Sequence, residues 1–115
     1  MRELSIIQKT YDVIQWYVPL LNRLPKDHKF ALGKRIVQGL YDLFEGLITA
    51  KYMKKKLPRL YELNVKLEIL RYQTRMLLDF QLIQTERYEY AGRQLHGIGM
   101  ELGSWIKQQQ EQQKR

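Results

Sequence analysis

The sequence predicts an all-α protein, an antiparallel up-down-up-down four-helix bundle, and three observations predict it. Four segments carry apolar residues at alternating spacings of three and four, the period of one helical face. Short turn signals, two of them built on proline, separate the segments. The 115 residues are enough for one domain with a working core, and 44% hydrophobic content with only 7 glycines and 3 prolines argues against disorder.

In the first segment the face is Ile7, Tyr11, Ile14, Val18 and Leu21. Pro19 lies inside this run. It lacks an N–H and crowds the preceding turn, so a kink is expected near Gln15–Pro19. Leu24-Pro25-Lys26-Asp27 is the first break, with Asp27 as the expected N-cap of the next helix. The second face is Phe30, Gly33, Val37, Leu40, Phe44 and Leu47, running to about Met53. Lys55-Lys56-Leu57-Pro58 is the second break, and Pro58 suits the first turn of a helix. The third face is Leu60, Leu63, Leu67, Leu70, Thr74, Leu77 and Gln81. The third break, Gln84-Thr85-Glu86, has neither Gly nor Pro; Thr85 is its expected N-cap. The fourth face is Tyr88, Ala91, Leu95, Ile98, Leu102 and Trp105. Residues 1–107 thus form the bundle. The tail 108–115 has no apolar residue and is expected to fray.

Apolar residues remain after one stripe per helix has been assigned. Ile6, Val13, Tyr17, Leu20 and Leu24 form a second seam on helix one, and Ile69, Met76, Phe80 and Ile83 another on helix three. Leu32, Ile36 and Leu43 are surplus on helix two. A monomeric bundle needs one stripe, so Ile6, Val13, Tyr17, Leu20, Ile69, Met76 and Phe80 are expected at an oligomer interface, the alternative being a wide core face that absorbs the surplus. Gly39 and Gly46 are seven apart, as are Gly92 and Gly99, with Gly103 beyond. Each mid-helix glycine costs about 0.5–1 kcal/mol relative to alanine; close helix approach would compensate, the alternative being a plain kink.

Chemistry is conspicuous by what is missing. Without cysteine there is no disulfide framework, thiolate metal site or cysteine nucleophile. His28 and His96, the sole histidines, have neither Glu-x-x-His nor i, i+4 spacing, so no metal is expected. No phosphate-binding glycine loop or nucleophile elbow occurs. Asp42 and Glu45 share a helix face, but as solvated acids or ion-pair partners. The chain reads as a non-enzyme with no cofactor. It has neither a signal-type apolar region nor a run long enough to span a membrane, so a cytoplasmic location is expected.

The charge is the main feature left. Twenty Lys and Arg against twelve Asp and Glu give a net charge of +8, which suits an anionic partner. The densest run contains Lys51, Lys54, Lys55, Lys56 and Arg59, five basic residues in nine. In the expected topology this turn lies at the pole that also holds Arg2, Lys107, Lys114 and Arg115. Arg71 and Arg75 form a second basic face on helix three, and Lys34 and Arg35 add charge on helix two. Such surfaces suit phosphate backbones and predict steep salt dependence. The other reading is a helical protein-interaction module whose charge serves solubility or an acidic protein partner.

The segment Leu67-Glu68-Ile69-Leu70-Arg71-Tyr72-Gln73-Thr74-Arg75-Met76-Leu77-Leu78-Asp79-Phe80 resembles the third-helix signature of the four-helix-bundle family that includes proteins encoded in ribosomal RNA intervening sequences. Trp16-Tyr17-Val18-Pro19, Leu40-Tyr41-Asp42-Leu43-Phe44-Glu45-Gly46, Arg87-Tyr88-Glu89-Tyr90 and Leu102-Gly103-Ser104-Trp105 extend the likeness over nearly the whole chain. Within that family it looks most like the accessory variability determinants (Avd) of diversity-generating retroelements. The resemblance implies a homopentameric barrel of four-helix bundles with a basic surface. It implies two partners, a reverse transcriptase and its template-repeat RNA, and a supporting role in mutagenic cDNA synthesis. It supplies no catalytic residues. Arg71 and Arg75 match the family's third-helix arginines.

Overall fold

The computed structural model describes residues 2–114 and is a four-helix bundle. Helix α1 spans Arg2–Asn22. A single turn, α2 (Lys26–His28), leads through a π-helical segment (Lys29–Gly33) into α3 (Lys34–Tyr52), and these three form the second rod. Helices α4 (Leu57–Asp79) and α5 (Thr85–Gln113) complete the bundle. Each rod packs on the next in sequence, and α5 closes back on α1. The result is a cylinder of 51 × 23 × 20 Å. Near one pole Gln110 of α5 donates a 2.8 Å hydrogen bond to the Tyr61 hydroxyl of α4, as antiparallel neighbours require. The last helix continues past Lys107 to Gln113, so most of the polar tail is helical.

Periodicity locates the core of α4 and α5 correctly except at Gln81, which is exposed, and Tyr88, which is half-buried. Leu60, Leu63, Leu67, Leu70, Thr74 and Leu77 are buried, and so are Ala91, Leu95, Ile98, Leu102 and Trp105. On α1 the phase differs from the expectation. Ile6, Val13 and Tyr17 are core residues of the chain itself, at 1%, 2% and 0% exposure, so they do not belong to an oligomer interface. Leu20 is half-buried against that core. The physical reason is that α1 touches both α3 and α5, which buries a wide arc rather than one narrow stripe. Tyr11, expected inside, is half-exposed. On the second rod Ile36 and Leu43 are likewise buried, while Phe30 is 63% exposed. Ile69 and Met76 remain exposed on α4, and Phe80 at its C-cap, as an outer seam requires.

One polar contact crosses the core diagonal. The Tyr17 and Thr74 hydroxyls lie 2.7 Å apart, and Thr74 also donates to the Leu70 carbonyl at 2.8 Å. A hydroxyl has one proton, so Tyr17 is the donor to Thr74. Burial pushes the Tyr17 phenol up from 10.0 to about 12. The bond to Thr74 would oppose that shift only by donating to the phenolate, and Thr74's proton is already committed to Leu70.

The helix ends show local chemistry the sequence only partly announces. Helix α1 runs through Pro19 to Asn22, because only its last turn lies beyond the missing N–H. Pro25, not Asp27, occupies the N-cap of α2, and Asp27 sits in its first turn. Gln84, not Thr85, precedes α5. Helix α4 ends at Asp79, so Gln81 is not a core position. It adopts φ 60, with Leu82 N–H bonded to the Leu77 carbonyl and Gln81 N–H to that of Leu78. This is a Schellman stop, made without the glycine that usually marks it.

Candidate nucleic-acid interface

The predicted basic residues separate into three places along the cylinder. The α3–α4 turn puts Lys51, Lys54, Lys55, Lys56 and Arg59 at the pole shared with the end of α5. Arg71 and Arg75 lie farther along α4, about 20 Å away at 1.5 Å per residue. Lys34 and Arg35 open α3 at the other pole and diverge by the 100° between adjacent helical positions. Lys34 lines a groove with Phe30 and Tyr41. Arg115 and the side chain of Arg2 lie outside the described residues.

The basic residues at the α3–α4 pole have different roles. Helix α3 ends with unsatisfied carbonyls, and Lys56 caps them. Its ammonium donates to the carbonyls of Ala50 at 2.9 Å, Lys51 at 2.7 Å and Met53 at 2.7 Å. An ammonium has three donors, so Lys56 is committed to holding the turn and is not available as a phosphate contact. Arg59 pairs with Glu62 at 3.1 Å. Lys54 and Lys55 are exposed and make no ion pair among the described residues. Lys51 lies 5.4 Å from the centre of the exposed Tyr52 ring. The usable charge of the α3–α4 turn is therefore Lys51, Lys54 and Lys55, beside the exposed Lys107 and Lys114 of α5.

The α4 arginines form a different kind of site. Arg71 and Arg75 are four residues apart and line one cleft with Glu68, Tyr72 and Tyr88. Arg75 bonds Asp79 at 3.0 Å. That hydrogen bond, with the Tyr88 hydroxyl acting in the same direction, raises the Arg75 guanidinium above its ordinary value. Arg71 has only Glu68, at 3.8 Å, and its buried Nε has no acceptor. The cleft deepens toward Thr74, Gly92, Leu95 and His96 between α4 and α5. The sequence reading missed Tyr72, Tyr88 and His96 here. Periodicity places Tyr88 on the core face, yet it is only half-buried and borders the cleft. The close Tyr72 spacing to both arginines is the signal that could have found this site.

Among the described residues no cluster of three or more acids or histidines could hold a metal, and no helix is long and apolar enough to cross a membrane.

Residues 4–109 match the family model described as bAvd-like. The chain belongs to the bAvd-like family. The bundle also resembles the crystal structure of a protein of unknown function from the S23 ribosomal protein family of Bacteroides thetaiotaomicron. The TM-score is 0.85 at 20% identity, over 93% of this chain and 99% of that one. At that identity the likeness concerns the fold alone. No curated protein matches the chain. The resemblance read from the α4 segment is thus borne out at the level of the family, and the bAvd-like chain carries its basic residues on a pole and a cleft rather than on one continuous face.

Proposed function

We propose that this bAvd-like chain is a non-catalytic, cytoplasmic accessory subunit of a diversity-generating retroelement. It binds template-repeat RNA through its basic surface and associates with the reverse transcriptase during mutagenic cDNA synthesis. The observation that carries this reading is the exposed, unpaired Lys54–Lys55 pole on a chain of net charge +8 that belongs to the bAvd-like family. A solvated basic pole of this kind attracts phosphates without reading bases.

The same reading includes a homopentamer. Its interface is the outer face of α4, where Val65, Ile69, Met76 and Phe80 are 60%, 44%, 43% and 52% exposed. They recur at helical spacing opposite the buried leucine seam, so α4 is apolar on two sides. Light scattering should give a multiple of the 13.9 kDa chain. The double change Ile69→Asp and Met76→Asp should return the mass to a single chain.

Titrating RNA at several salt concentrations tests the partner. Affinity should fall steeply as salt rises, and Lys54→Glu with Lys55→Glu should weaken binding severalfold while helicity is retained. Absence of binding at low salt would sink the RNA reading and favour a protein-interaction module. Co-purification with the reverse transcriptase tests the second partner.

A further inference from the structure

We infer that the cleft between α4 and α5 takes an unpaired nucleotide, which makes this subunit selective for single-stranded over duplex RNA. The inference rests on the nucleic-acid reading above and deepens it. It concerns Arg71, Tyr72, Arg75, Tyr88, Gly92 and His96, which line two adjoining hollows of about 220 and 190 Å³.

Three features distinguish this cleft from the lysine pole. First, it is concave and carries a tyrosine on each wall, Tyr72 of α4 and Tyr88 of α5. A base offers its π-face to an aromatic ring only when it is out of the duplex stack. The pole instead presents flexible lysines on a convex turn. Second, Arg71 has an unused donor. Its Nε is buried without an acceptor, and the guanidinium lies over Gly99, where a Cβ would collide with it. The neighbouring Glu68 is 56% exposed and 3.8 Å away, a solvated pairing that a phosphate oxygen or base edge can displace. Third, α5 leaves the space empty. A Cβ on Gly92 would meet nothing within 4 Å, although Gly92 lines the deeper hollow. The floor is open to a planar group entering past Tyr88.

The charges facing the cleft are Arg71 and Arg75 on one side, with Glu68 within it and Asp79 bonded to Arg75. Asp79 orients the Arg75 fork and leaves its other donors to a phosphate. A nucleotide thus finds a stacking surface, a guanidinium for its base edge or phosphate, and a second guanidinium for the next phosphate along the strand.

Fluorescence anisotropy with a labelled single-stranded RNA and a duplex of equal length tests this on the full chain. The single strand should bind about tenfold or more tightly at the same salt. Tyr72→Leu removes a ring that is exposed in the single chain, on the cleft-side edge of the Ile69–Met76 face; with light scattering showing the assembly unchanged, it should cost roughly tenfold in single-strand affinity with duplex affinity unchanged. Gly92→Leu should fill the hollow from α5 with the same selective loss, and circular dichroism should show both variants folded. A nucleoside monophosphate at the RNA's own concentration should not displace the strand; displacement would make the cleft a free-nucleotide pocket and overturn the strand reading. Equal, salt-dependent binding of both RNAs, unaffected by either variant, overturns this inference and leaves the proposed function standing. Binding of neither RNA at low salt overturns both.

Discussion

The α3–α4 and α4–α5 seams use the same sequence device, glycines seven residues apart, to opposite ends. On α3 a Cβ at Gly39 would come within 3.0 Å of Leu70 Cδ2, and one at Gly46 would overlap Leu63 and lie 2.9 Å from the Arg59 guanidinium. Those glycines admit core leucines of α4, and the seam is closed. On α5 a Cβ at Gly92 or Gly103 would meet nothing within 4 Å, and at Gly99 it would meet chiefly the Arg71 guanidinium. That seam is left open at its outer edge. A heptad of glycines in a helix therefore announces closeness to something, and only the tertiary partner shows whether that is a neighbouring helix or space that a ligand can enter.

The largest test of the closed seam is Leu70→Ala. Leu70 is fully buried and fills the Gly39 gap. Its truncation should cost about 3–4 kcal/mol by the large-to-small rule, read by urea denaturation. In that background Gly39→Ala has its Cβ partner removed, so the alanine should become favourable by a few tenths to about 1 kcal/mol. Additive behaviour in the double-mutant cycle would show that the two residues do not share the gap.

The diagonal Tyr17–Thr74 contact ties α1 to α4 between the seams, and pH probes it. The folded phenol is raised from 10.0 to about 12. Its contribution is therefore intact below pH 10 and is lost as pH rises through the window from 10 to 12, where the unfolded chain ionises first. The loss at the top of that window is on the order of 2–3 kcal/mol, at 1.36 kcal/mol per pH unit. Tyr17→Phe should remove this part of the alkaline destabilisation. A variant that loses stability between pH 10 and 12 as steeply as the native chain would place the titrating group elsewhere.

How much of this was legible follows from what periodicity contains. On α5 Ala91, Leu95, Ile98, Leu102 and Trp105 form one narrow set, so phase and face were both readable and all five are buried, while Met100, off that face, is 63% exposed. On α1 adjacent pairs such as Ile6–Ile7, Val13–Ile14 and Tyr17–Val18 are both apolar. Two seams 100° apart are then available, and the sequence does not say which points inward. The hydrogen bond of Tyr17 to Thr74, fifty-seven residues away, is part of what decides it. Charge has a similar limit. The sequence places Lys55 and Lys56 side by side, but one is exposed while the other caps three carbonyls of the α3 terminus. The α4–α5 cleft was only half legible, because Arg71 and Arg75 share a helix whereas Tyr88 comes from another.

Gly46→Ala tests the closed seam at a smaller scale. The alanine gains about 0.5–1 kcal/mol of helix propensity but overpacks Leu63, a core side chain without free space, at about 1–3 kcal/mol. The expected net effect is destabilisation of roughly 1–2 kcal/mol in urea titration. A more stable Gly46→Ala protein would mean that Leu63 can retreat and that the seam is looser than its geometry indicates.

The smallest effect has the opposite sign. Gly92→Ala adds a Cβ to open space, so only the propensity gain remains, and stability should rise by about 0.5–1 kcal/mol. Gly99→Ala carries the same gain but must displace the Arg71 guanidinium, so it should stabilise less and also lower RNA affinity. The pair separates a glycine kept for room from one kept for a particular arginine. Destabilisation by Gly92→Ala that grows with protein concentration would show instead that a second copy of the chain packs on this flank of α5, since only a bound partner makes the measured stability depend on concentration. The cleft would then be a subunit contact, and the open seam would be closed in the assembly.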